Sequence, residues 1–148
     1  MMPPNINYTI YNGVSYIPAF DPGLDNDSPP AAVAELRRQL AEANAIVICT
    51  PEYAYGIPGA LKNTLDWTVS SASFSGKLTA LITASTGGET AHAALIKVLG
   101  AIDADLIKGA TLLISFIRSK MDSEGNIKDE ETAEKLRLVF EALMNVVK

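Results

Sequence analysis

The chain has 148 residues, 48% hydrophobic and 20% charged, with a formal net charge of −5 and one cysteine. This length fits one domain with a sizeable core, and an acidic balance without clustered Lys and Arg excludes a nucleic-acid surface. One cysteine rules out an internal disulfide framework, and no apolar run reaches the roughly 20 residues that span a bilayer. The N-terminus also lacks a basic-then-apolar signal pattern, so no membrane association and a cytoplasmic location are expected.

Residues Ile6 to Tyr11 alternate as a short strand, and Asn12-Gly13 turns it. Pro18, Asp21-Pro22-Gly23 and the stretch from Asp25 to Pro30 then predict a long loop. Ser28 or Asp27 is placed to cap the next helix, with Pro29 and Pro30 in its first turn. Val33, Leu36, Leu40 and Ala43 form its apolar stripe, with Glu35, Arg37, Arg38 and Glu42 turned to water.

Ala45 to Thr50, AIVICT, is a run of small and β-branched residues that fits a strand buried on both faces. Cys49 within it reads as a small core hydrophobe. Pro51 stops the strand, and PEYAYGIPG from Pro51 to Gly59 is a turn-rich, aromatic loop before a helix from Ala60 to Ser70. A second buried strand, Lys77 to Ala84, ends in Ser85-Thr86-Gly87-Gly88, and Glu89 opens a helix to about Ile102 at its favourable dipole end. Ala110 to Ile117 is a third apolar strand of this kind, Gly125-Asn126 a turn, and Asp129 to Val147 an amphipathic last helix.

Strands separated by helices require parallel pairing with right-handed crossovers, so the expected fold is a single doubly wound α/β domain, Rossmann-like or flavodoxin-like. Ligands of such sheets lie beyond the carboxyl ends of the strands, where Pro51–Gly59 and Ser85–Gly88 would share one crevice. The loop with Tyr53 and Tyr55 is either a plain connection or a clamp whose rings and peptide groups hold a flat heteroaromatic ligand. Thr86-Gly87-Gly88 is either a capped turn or a set of N–H groups suited to an oxyanion or an electron-rich ring edge. His92, the single histidine, has no companion at ligand spacing, which makes a metal role improbable. Asp66-Trp67 is read as packing or subunit interface rather than as a catalytic acid.

The string TPEYAYGIPGALKNTLDW from Thr50 to Trp67 closely resembles the signature of the NADPH-dependent FMN reductase family, flavodoxin-like proteins that include FMN, azo, quinone and chromate reductases. The resemblance implies a three-layer parallel sheet with helices on both faces. It implies FMN as cofactor, NADPH or NADH as co-substrate, and a quinone, azo, metal-oxyanion or flavin acceptor. It places Pro51, Glu52, Tyr53, Ala54, Tyr55 and Gly56 against the flavin, with Ser85, Thr86, Gly87, Gly88 and Glu89 along its other side. No residue is implied as catalytic in the strict sense, and no metal, because the cofactor carries the chemistry. Lys62, Asn63, Asp66 and Trp67 would belong to a supporting helix that meets a partner subunit in a homodimer or homotetramer.

Two departures from the family pattern stand out. Ala54 replaces the usual Asn, and the chain is expected to begin at the family's second strand, without the preceding strand, phosphate loop and helix. That second departure leaves an alternative open: a flavodoxin-like module, non-catalytic or weakly flavin-binding, that acts through oligomerisation or a partner.

Overall fold

The computed structural model describes residues 6–147. Helix α1 (Ala31–Glu42) leads into strand β1 (Ala45–Thr50), and helix α2 (Gly59–Asp66) into β2 (Leu78–Ala84). Helix α3 (Glu89–Ala101), strand β3 (Asp105–Ile114) and helix α4 (Glu130–Val146) complete the order. The strands form one parallel sheet in the order β1-β2-β3. No helix is long and apolar enough to cross a membrane among the described residues.

The apolar strands are sandwiched unequally. On one face, Ala80 and Ile82 of β2 and Ile107, Ala110 and Ile114 of β3 pack against Val139 and Leu143 of α4. On the other, Ile48 and Leu81 pack with Leu65 of α2, Phe74, and Leu95 and Leu99 of α3. A third cluster joins Ile17, Val33 and Leu36 to Trp67 just beyond α2. Alternation along β1 sends Ile46, Ile48 and Thr50 to the α2–α3 side, while Val47 and Cys49 face outward.

Several expectations are corrected here. Ile6 to Tyr11 is not a strand: Tyr8 and Ile10 are exposed, and only Tyr11 packs, against the Trp67 cluster. The sheet therefore has three strands among the described residues, and β1 is an edge strand rather than one buried on both faces. Cys49 is accordingly exposed rather than a core residue, because α4 covers β2 and β3 but does not reach this part of β1. Partial enclosure of its sulfur still pushes the thiol pKa up.

Arg37 is also not turned to water. Its guanidinium donates to the Trp67 carbonyl at 2.6 Å and pairs with Asp25 at 2.6 Å, pinning the 18–30 loop to the end of α2. The α1 N-cap position is Pro30, with no side-chain cap, instead of Ser28 or Asp27. Strand β3 starts five residues earlier than its apolar run suggests. Gly109, at φ +85°, takes up a bulge opposite Ala80, so the glycine bends the strand without ending it.

Candidate functional site

Three strand-end loops meet at the carboxyl edge of the sheet. After β1, Tyr53 and Gly56 close a two-residue turn: Tyr53 N–H donates to Gly56 O at 3.0 Å and Gly56 N–H to Tyr53 O at 2.9 Å. Its two central residues, Ala54 (φ +48°) and Tyr55 (φ +57°), are both left-handed, a backbone that ordinarily asks for Asn or Gly. Strain of this kind persists where the surroundings enforce it. Here it holds Tyr53 and Tyr55 out in solvent, 66% and 83% exposed. Ile57 anchors the far end of the loop in the α2–α3 core.

After β2, Ser85 N–H donates to Ile114 O at 3.1 Å, which continues the β2–β3 pairing by one bond. The next residues, Thr86 to Gly88, turn sharply into α3. Gly88 is at φ +113°, and a Cβ there would sit 2.7 Å from Leu113 Cδ1 and 3.3 Å from Thr83 Cγ2. The left-handed φ is what asks for glycine here, and a side chain would also have to displace Leu113.

Glu52 joins the two loops. Its carboxylate accepts the Ala91 N–H at 2.8 Å and the Gly88 N–H at 3.3 Å, so the side chain from the first loop caps α3. Ser85 Oγ donates back to the Glu52 carbonyl at 3.4 Å. Behind the loop, Thr83 Oγ1 and His92 Nδ1 lie 2.9 Å apart, and burial pulls the His92 pKa down. The two share one hydrogen bond, its direction set by the imidazole tautomer. His92 thus supports the loop from inside the fold, and no group of three or more His, Cys, Asp or Glu that could hold a metal exists among the described residues.

The expected site residues therefore fall on two loops tied together by the Glu52 carboxylate and the Ser85 hydroxyl. Pro51, Glu52 and Gly56 are half-buried and Tyr53, Ala54 and Tyr55 exposed. Opposite them, Ser85 and Gly87 are half-buried, Gly88 is buried, and Thr86 and Glu89 are exposed. One expectation is revised: the Gly88 N–H is already bonded to Glu52 and is not free for a ligand. Among the described residues the amides of Ala54, Tyr55, Thr86 and Gly87 have no hydrogen-bond partner. Neither loop contains Lys or Arg.

Sequence reasoning missed a third contributor. Phe116 follows β3 with φ +56°, is 64% exposed, and donates its N–H to Thr86 O at 3.0 Å. Ile117 N–H donates to Ser85 O at 3.1 Å. The sequence carried no signal for it, because the left-handed turn at Phe116 leaves no mark in composition or periodicity.

The supporting helix α2 also acquires a definite task. Asn63 accepts the Phe20 N–H at 2.8 Å and donates to Pro18 O at 2.8 Å, and the Phe20 ring meets the Trp67 ring edge-on. Two cavities, of about 430 and 310 Å³, lie elsewhere. The first is lined by Asp25, Arg37 and Ser70, whose polar groups already satisfy one another, so it offers no open chemistry.

The sequence pattern of the NADPH-dependent FMN reductases matches residues 6–118. An NAD(P)H-dependent FMN reductase of Pseudomonas aeruginosa is 30% identical over 148 aligned residues, covering 97% of this chain and 80% of that protein. A 2-hydroxy-1,4-benzoquinone reductase of Burkholderia is 33% identical over 127, covering 82% and 69%. Among solved structures, the flavoenzyme NAD(P)H:(acceptor) oxidoreductase FerB of Paracoccus denitrificans superposes with a TM-score of 0.70 at 25% identity, over 90% of this chain and 76% of that one.

Proposed function

The chain belongs to the NADPH-dependent FMN reductase family, flavodoxin-like oxidoreductases that use FMN with NAD(P)H as co-substrate, and from that premise we propose that it passes electrons to a quinone. The quinone-reductase names of several relatives support that acceptor class, with azo compounds, metal oxyanions and free flavin as the wider set.

The observation that carries the reading is the pair of strand-end loops that Glu52 ties together at the carboxyl edge of the sheet, with amides that no protein group uses. The Ala54, Tyr55, Thr86 and Gly87 N–H groups suit the carbonyl and ring-nitrogen edge of an isoalloxazine, and Tyr53 and Tyr55 offer rings to pack on it. Bound FMN would supply two-electron transfer between the nicotinamide and the acceptor. The chain's own residues hold and orient the ring. Their unpaired N–H groups favour negative charge at its polar edge. No side-chain acid or base is needed for this work.

Strand β1 lies at the edge of the sheet among the described residues and turns Val47 and Cys49 to an uncovered face beside that edge, and we read this margin as a contact within a homodimer or homotetramer. A cytoplasmic setting belongs to the same reading. The test is anaerobic oxidation of NADPH by the FMN-loaded protein with a benzoquinone. Turnover that requires both FMN and quinone supports it. A protein that binds FMN without oxidising NADPH or NADH would contradict it and leave the non-catalytic module.

A further inference from the structure

We propose that Glu52 is the positioning residue of this site. Its carboxylate fixes the Ser85–Gly88 turn against the Tyr53 loop and fills the head of α3 with the protein's own negative charge. The inference rests on the flavin reading above, and it goes further by assigning Glu52 to the loop opposite instead of to the ligand.

The geometry is specific. Glu52 is the second residue after β1, yet both hydrogen bonds of its carboxylate go to amides 36 and 39 positions away, at Gly88 and Ala91. Ala91 N–H is one of the first-turn donors that a helix leaves without an internal partner, and α3 has no side-chain cap from its own N-cap residue, since that residue is Gly88. A Cβ on Gly87 would lie 3.6 Å from Glu52 Oε1 and 3.1 Å from Glu89 Oε2, so two carboxylates crowd the same turn. An anion placed at a helix N-terminus would compete with charge that is already there. The Glu52 carboxylate thus takes the Gly88 and Ala91 donors and sets a negative charge against any phosphate at the α3 head, while the Thr86 and Gly87 amides on the turn stay without a protein partner.

A negative charge fixed beside the turn also opposes the electron-rich reduced flavin, so Glu52 holds the reduction potential down. Two variants separate the roles. Glu52→Ala removes both acceptors, while Glu52→Gln keeps one carbonyl acceptor and the side-chain volume without the charge.

Amide exchange is measured on the chain without flavin, and FMN affinity and midpoint potential on the loaded protein. In Glu52→Ala, exchange at Gly88 and Ala91 is expected to rise by about tenfold or more, with β2 amides unchanged, and FMN binding to weaken by a similar factor. Glu52→Gln is expected to show smaller changes in both and a more positive potential. It decides the matter where the alanine variant does not fold. Exchange and affinity equal to the parent in the variants would overturn the positioning role, and an unchanged potential in Glu52→Gln would overturn the electrostatic one. Should the parent itself bind no FMN, the flavin reading fails, and the exchange comparison still decides whether Glu52 sets the turn.

Discussion

Trp67 donates its indole N–H to the carbonyl oxygen of Pro18 at 2.8 Å, across 49 residues of sequence. With Asn63 on the same carbonyl and Arg37 on the Trp67 carbonyl, the end of α2 becomes a clasp for the 17–20 strap. Trp67 is fully buried and is the single tryptophan of the chain, so its emission reports directly on the clasp. Trp67→Phe is expected to cost about 2–4 kcal/mol through the lost bond and the space left behind. Asn63→Ala is expected to cost about 1–2 kcal/mol through two lost bonds. Urea unfolding monitored by circular dichroism measures both, and in Asn63→Ala the tryptophan emission shifts to the red.

Ala54 sits where the family pattern has Asn, and its φ of +48° explains the usual choice. Asn tolerates the left-handed region through local hydrogen bonding, and alanine does not. Ala54→Asn is expected to raise stability by about 0.5–1 kcal/mol, seen as a higher urea midpoint at an unchanged slope. A midpoint at or below that of the parent would mean that the turn is not strained.

His92 makes stability depend on pH in a defined direction. Burial lowers its folded-state pKa below the ordinary 6.5, so the unfolded chain takes up its proton first as pH falls. The contribution of the neutral imidazole is complete above pH 6.5 and is lost as pH drops from there through the lowered folded value. Stability of the parent between pH 7.5 and 5.5 is expected to decline more steeply than that of His92→Gln, by thermal denaturation. The carboxylates held low by hydrogen bonds, such as Asp129 by Thr132 and Asp122 by Asn126, lose their contributions only below about pH 4. The two windows are separable.

The two loops proposed to hold the flavin carry no Lys or Arg for its phosphate, and Glu52 bonds two amides at the head of α3. Riboflavin is therefore expected to bind within about tenfold of FMN, since a charge-assisted phosphate contact would contribute more than that. Competition of riboflavin against FMN, followed by flavin fluorescence, measures the ratio. A preference for FMN of a thousandfold would show that a cation elsewhere reaches the phosphate.

Much of the architecture was legible because buried parallel strands and amphipathic helices write themselves as local patterns. AIVICT and LTALITA became β1 and β2, and α3 and α4 lie within two residues of the expected bounds. Alternation at Ile6, Tyr8 and Ile10 misled because period two shows only that a segment could pair, and among the described residues no strand pairs with it. Cys49 misled for the reason that exposed β1: burial of a strand depends on which helix covers it, and the helix on that face is nearly a hundred residues away in sequence. The loops of the site were marked by Pro, Gly and Tyr, whereas the Glu52 bridge, the Asn63 and Trp67 clasp and the Phe116 contact join residues about 30 to 50 apart. Contacts at that range leave no periodic trace.

The central claim is that the loops at Pro51–Gly56 and Ser85–Glu89 grip a flavin ring. Difference absorbance spectroscopy during titration with FMN, run in parallel on the parent and on Tyr53→Ala, tests it most directly. The expected result is a shift of the flavin bands that saturates in the parent and requires severalfold more FMN in the variant. An unchanged flavin spectrum with the parent at about 50 µM FMN, a concentration that would reveal even weak binding, would contradict the account.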